Sequence, residues 1–189
     1  GLGQPHETVG PQEGDNEIAH DIQVLADKTG ALIATAARMG VMFSGAPAEY
    51  ADPVTEYGEK IGVAFQLVDD VIDLSPQAER TGKRAGTDLR AGIATLPILL
   101  LRERAAQDPE AAALLARIDA GLAQIEAGAD SSVLDPEVIA LREHAATQET
   151  AATARKWAAD AVAALAPLPR SAVTRALARM ADSIVEREG

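Results

Sequence analysis

The stretch from Gly62 to Leu74, GVAFQLVDDVIDL, constrains this chain more than any other. On a helix turning about 100° per residue, Gln66, Asp69, Asp70 and Asp73 fall within roughly 100° of one another. Val63, Ala64, Phe65, Leu67, Val68, Val71, Ile72 and Leu74 cover the remaining sides. A helix apolar on all its other faces is a buried helix. Three carboxylates there cannot stay ionised uncompensated, because desolvating each costs several kcal/mol. No cationic residue shares their face. The expectation is a polar cavity in which the carboxylates hold a hard cation. Oxygen-only ligands select Mg²⁺, which keeps some water and shares an anionic ligand such as a phosphate. The bland alternative, a solvated acidic strip or a helix end, fits poorly with so many apolar neighbours.

The chain's 189 residues, 47% of them hydrophobic, can bury one sizeable core, so a single domain is the expectation. Aromatics are only 3% and alanine dominates the apolar set, which suits close-packed helices. A net charge of −12 argues against a nucleic-acid partner. The absence of cysteine excludes disulfides and thiolate metal sites and fits a reducing, cytoplasmic setting. The longest apolar run, Ala91 to Leu101, is too short to span a bilayer and contains Pro97. No secretory signal precedes the first expected helix, and a chain that begins with Gly1 rather than Met suggests a fragment.

Residues 1–16 are rich in Gly, Pro and charge and read as mostly loop. A helix is expected from Glu17 to about Gly45, with Ile18, Ile22, Leu25, Thr29, Leu32, Ile33 and Ala36 on its buried face. A second should run from about Asp52 through the acidic motif to Leu74. Ser75 to Thr87 reads as a loop. A helix from about Ile93 to Ala106 should be kinked by Pro97 or begin there. Shorter helices are expected at Pro109–Gly121 and Leu122–Ala127. Pro136 should open a long alanine-rich helix that ends before Pro167, and Ser171 should cap the last one. No strand pattern or internal repeat is visible. The fold class is all-α, a helical bundle.

Lys28 and Thr29 share a helix face with Leu25 and Leu32, which brings the lysine near the buried side. There it could serve as a point-charge ligand for phosphate, although a helical lysine more often snorkels to the surface. The loop TGKRAGTDLRAG offers Lys83, Arg84 and Arg90 among glycines, a candidate lid over a diphosphate. His6, His20 and His144 share no metal-ligand spacing, and Trp157 sits at a packing position. No nucleophile-elbow, Walker A, HExxH or dinucleotide fingerprint is present.

GVAFQLVDDVIDL followed by TGKRAGTDLRAGIATLPILLL resembles the second aspartate-rich region of the trans-polyprenyl diphosphate synthases. DKTGALIATAARMG resembles the Lys-Thr segment that precedes it, and LPRSAVTRALARMADSIVERE the C-terminal helices. The pattern is most similar to the bacterial long-chain enzymes and extends over essentially all 189 residues. The resemblance implies an isoprenoid-synthase-like bundle, here partial, with 1–189 as the C-terminal part of a single domain. It implies a Mg²⁺-dependent prenyltransferase that condenses isopentenyl diphosphate head-to-tail with an allylic diphosphate. Asp69, Asp70 and Asp73 would then bind Mg²⁺, and Lys28 and Lys83 the diphosphate. Thr29 and Gln66 would lie beside the developing allylic cation, and Asp88 would support the metal cluster.

Two departures from that pattern stand out. DDxxD occurs only once here, whereas the family carries two such motifs on facing helices, and the arginines that follow the first are missing with it. Ile93 stands where many relatives have a lysine. The chain is therefore expected to be an incomplete fragment, inactive alone. The alternatives are a non-catalytic partner subunit of a heteromeric synthase and a helical interaction domain with a purely structural acidic helix. The resemblance implies a homodimer or heteromer. A long lipid product suits peripheral membrane contact, but no basic amphipathic helix supports it.

Overall fold

A run of 24 residues, Ala51–Leu74, forms the helix that carries the acidic motif. The structure, a computed structural model, describes residues 31–187 apart from 81 and 83. Every regular element among them is helical. In chain order these are α1 (Ala31–Ser44), α2 (Ala51–Leu74), α3 (Gln77–Arg80), α4 (Thr87–Arg90) and α5 (Leu96–Ala105), followed by α6 (Pro109–Glu126), α7 (Asp135–Glu143), α8 (Ala145–Ala163) and α9 (Ala172–Glu186). Short 3₁₀ turns at Ala48–Tyr50 and Ser131–Leu134 lead into α2 and α7. The helix expected from Glu17 lies outside the described residues up to its last part, α1. Two compact units separate: one draws on Gly1–Val68 and Thr153–Gly189, the other is Asp69–Ala152.

In the first unit, α1 stops at Gly45, whose φ of 73° lies in the left-handed region that glycine enters without steric cost. Tyr57, Ile61 and Ala64 form one stripe along α2 and pack with Ala158, Ala161 and Leu165 and with Ala181 of α9. The alanines let the helices approach closely, and Trp157, Val162, Leu168, Leu177, Ile184 and Val185 pack around this centre. Trp157 is thus a packing residue, as its position in the sequence suggests. The Tyr57 hydroxyl donates to the Leu177 carbonyl at 2.7 Å, and burial pushes it up to about 12. Ser171 caps α9 in a reciprocal box with Thr174, satisfying amides that the first turn would otherwise leave unpaired. The Arg187 guanidinium lies 4.6 Å above the Phe65 ring.

In the second unit, the first six residues of α5, Leu96–Leu101, are all buried. Pro97 sits in the opening turn, where a missing N–H costs nothing, so α5 starts at Leu96 rather than kinking. Asp108 caps α6 by accepting from the Glu110 amide. Ala111, Leu114 and Ile118, at helical steps, face inward with Leu134, Val138 and Leu141.

Three boundaries differ from the sequence expectation. Gly121 does not divide α6: a Cβ there would lie 2.3 Å from Leu134 Cδ2, so the glycine serves close packing rather than a break. The long helix expected from Pro136 is interrupted at His144, whose backbone is extended. The freed groups are satisfied locally, since the Ala146 amide donates to His144 Nδ1 at 3.0 Å and the Thr147 hydroxyl to the Leu141 carbonyl at 2.6 Å. Within Ser75 to Thr87, Gln77–Arg80 forms a single helical turn.

Candidate functional site

Burial along α2 follows the sequence pattern in part, since Phe65, Val71 and Ile72 are only half-buried. Val63, Ala64, Leu67, Val68 and Leu74 are buried, while Gln66, Asp69, Asp70 and Asp73 are partly accessible. Gln66 belongs to the first unit and the three aspartates to the second. Asp88, on α4, joins the aspartates electrostatically. Burial first, then the charge of Asp88, and then those of Asp69 and Asp73 push the Asp70 carboxyl up to about 7, against a hydrogen bond from the Leu96 backbone that opposes the shift. That bond comes from the first residue of α5, where a helix presents unpaired amides and a partial positive charge.

Asp73 is held differently. Its Oδ2 accepts from the Asp88 amide at 3.2 Å, and its carbonyl accepts from the Gly86 amide at 2.7 Å. Burial raises its carboxyl above the usual range, and the Asp88 charge adds to this. The Asp88 and Thr87 amides and the Arg90 charge offset part of the rise. Asp73 therefore ties the loop after α2 back onto the helix.

Two of the loop's three cations are engaged by side chains and carbonyls of the same unit. Arg90 is only 9% exposed at its side chain and pairs with Asp135 at 2.8 Å. Its Nε donates to the Ala85 carbonyl at 3.0 Å, and its Nη1 donates to the Ser131 carbonyl. Arg84 donates to the Ser131 hydroxyl at 2.9 Å and to Asp135 at 3.0 Å. Both arginines tie the loop to Asp135 and Ser131, Arg90 from a largely buried position and Arg84 from an exposed one. Lys83, Lys28 and Thr29 lie outside the described residues. Asp135 and Ser131 carried no recognisable motif; the acidic N-terminal turn of a helix was their only sequence signal.

Among the described residues, no three histidine, cysteine or acidic side chains converge closely enough to hold one ion by themselves. The donor set nonetheless fits Mg²⁺. It is all carboxylate, with Asp70 raised first by burial and then by the neighbouring carboxylates. Mg²⁺ takes one or two carboxylates and completes its octahedron with water and substrate phosphate, so it does not require a dedicated cage. A separate cavity of about 440 Å³ in the first unit is lined by Val41, Tyr50, Val54, Leu168, Val173 and Leu177 among others, and by no carboxylate.

An all-helical fold with a carboxylate-bearing buried helix narrows the class, and comparison with known proteins defines it. The family model for polyprenyl synthetases matches residues 2–127. The chain belongs to the polyprenyl synthetase family. It is 36% identical over 188 residues to the nonaprenyl diphosphate synthase of Mycobacterium tuberculosis, covering 99% of this chain and 53% of that protein. It is 31% identical to the octaprenyl diphosphate synthase of Escherichia coli, covering 88% of this chain and 49% of that one. The chain spans about half the length of the curated relatives it matches. Among solved structures, the geranylgeranyl pyrophosphate synthase from Corynebacterium glutamicum, complexed with calcium and isoprenyl diphosphate, superposes with a TM-score of 0.78 at 34% identity. That alignment covers 99% of this chain and 55% of the synthase. The decaprenyl diphosphate synthase from Rhodobacter capsulatus gives 0.74 at 26% identity, over 99% of this chain and 55% of that one.

Proposed function

We propose that this chain forms the later part of a polyprenyl diphosphate synthase domain, which extends an allylic diphosphate by head-to-tail condensation with isopentenyl diphosphate. The observation that carries this reading is the gathering of Asp69, Asp70, Asp73 and Asp88 in one unit, with Asp70 pushed up to about 7 by burial and by the other carboxylates. So much negative charge in a partly buried place calls for a cation.

Asp69, Asp70 and Asp73 would hold Mg²⁺ in this reading, with Asp88 supporting from α4. When bound, Mg²⁺ supplies neutralisation of the charge that builds on a departing diphosphate. Lys28 and Lys83 contact that diphosphate. Thr29 and Gln66 would lie beside the developing allylic cation. The apolar residues of α2 exclude water, which would otherwise capture that cation. Ile93, 52% exposed, offers no charge at the position where many relatives carry lysine, so the loop grips diphosphate less strongly. The protein works as a homodimer or heteromer in the cytoplasm. No helix among the described residues is long and apolar enough to cross a membrane.

The test is incorporation of labelled isopentenyl diphosphate into an allylic primer by the protein isolated from its source cells, with Mg²⁺ present. Elongation is expected, and it should fall by at least ~100-fold when Asp69 and Asp70 become asparagine. The 189-residue chain alone should give negligible transfer, since it contains a single DDxxD. Unimpaired elongation by the asparagine variant would contradict the assignment.

A further inference from the structure

Helix α7 presents Asp135, Val138 and Arg142 at steps of three and four residues, which places them on one face. Each touches the acidic motif or the loop that follows it. Asp135 pairs with Arg90 at 2.8 Å and with Arg84 at 3.0 Å. Val138 fills the space beside Gly86, where a Cβ would lie 2.5 Å from Val138 Cγ2; the φ of 78° there favours glycine as well. Arg142 Nε donates to the Leu74 carbonyl at 2.6 Å, closing the end of α2. Gly86 and Asp88, so held, donate in turn to the carbonyl and the carboxylate of Asp73.

We propose that Asp135, Val138 and Arg142 form a three-point clasp that positions Asp73 and Asp88 for divalent cation and diphosphate binding. The residues matched by the family model end at 127, before α7 begins. The inference rests on the function proposed above. It adds that the site's geometry depends on a helix that contributes no ligand. A residue held by two backbone amides, one on its carbonyl and one on its carboxylate, keeps its direction only while the loop supplying those amides keeps its own. Asp135 and Arg142 fix that loop at opposite ends. They are positioning residues, since neither touches the reacting atoms.

The test uses the 189-residue chain and two readouts. The first is amide hydrogen exchange at Gly86 and Asp88 without metal. The second is calorimetric titration with Mn²⁺ and inorganic pyrophosphate, well below every variant's melting temperature. Asp135→Asn and Arg142→Met should each speed exchange at Asp88 and weaken the Mn²⁺–pyrophosphate affinity by about 10-fold, the scale expected of groups that orient ligands. Arg142→Lys, which keeps a donor for the Leu74 carbonyl, should restore most of that affinity. Ile118→Val, buried on α6, should lower the melting temperature and leave the affinity unchanged. If Asp135→Asn does not fold, Arg142→Met and Arg142→Lys carry the comparison. Wild-type affinity in Arg142→Met, or equal losses in Ile118→Val and the clasp variants, would overturn the clasp alone. A wild-type chain that takes up no Mn²⁺ with pyrophosphate would overturn the metal site, and the clasp's role with it.

Discussion

Between Tyr57 and Val68, α2 meets its surroundings through Ile61, Ala64 and their neighbours, packed against alanines, leucine and tryptophan. Between Asp69 and Leu74 the same helix is held by hydrogen bonds and charge: the amides of Asp88 and Gly86 reach Asp73, and Arg142 reaches Leu74. Apolar packing is non-directional and large in total, so it fixes that the helix is buried but sets few angles. Hydrogen bonds contribute less each and set direction. The first part of α2 is therefore expected to govern stability, and the last turn to govern geometry and charge.

The largest effect should come from the packed part. Ile61→Ala should cost about 2–5 kcal/mol in urea unfolding, the usual range for a large-to-small change in a closed core. Its divalent cation affinity should persist wherever the variant is folded. A loss below 1 kcal/mol would show that the first unit does not rest on this cluster. Next, Arg90→Met should cost roughly 1–3 kcal/mol, because the Ala85 and Ser131 carbonyls lose their donor. The discount for the exposed side of Asp135 keeps this below the Ile61 value.

The Asp70 carboxyl sharpens the contrast through pH. Its folded pKa, about 7, lies above its ordinary value of 3.8, so the folded state holds a proton that the unfolded state has released. The stability this group contributes is complete below the ordinary value and is lost as pH rises toward and through 7. In chelator, Asp70→Asn should melt higher than wild type at pH 8, by on the order of 5 °C, with the gap closing toward pH 4. A gap that does not change with pH would remove the buried-charge account. Smallest is Ser171→Ala in the α9 cap, expected to cost about 1 kcal/mol in the same unfolding assay, with no pH dependence.

Much of this was legible because it is periodic. The apolar steps around Asp69, Asp70 and Asp73 fixed a buried acidic helix, and Ala51–Leu74 is that helix. Caps at Ser171 and the Pro97 start of α5 follow from short-range chemistry. Gly121 misled because a glycine that admits a neighbour looks, in sequence, like one that breaks a helix; only Leu134 distinguishes the two. The extended backbone at His144 had no breaker residue to announce it. Arg84 and Arg90 were visible as cations, but their partner Asp135 lies more than forty residues away, and no local spacing encodes such a pairing. Arg142 and Leu74 are 68 residues apart and equally silent.

The claim that the last turn of α2 is an anion-rich site awaiting a cation is tested most directly by a crossed melting experiment. Wild type and the Asp69→Asn, Asp70→Asn double variant are unfolded at pH 8, in chelator and in Mg²⁺ with pyrophosphate. The account predicts that the variant melts higher in chelator, because repulsion is relieved, and that Mg²⁺ with pyrophosphate stabilises only the wild type. A variant that melts lower in chelator, with neither protein responding to Mg²⁺ and pyrophosphate, would mean that the carboxylates are structural.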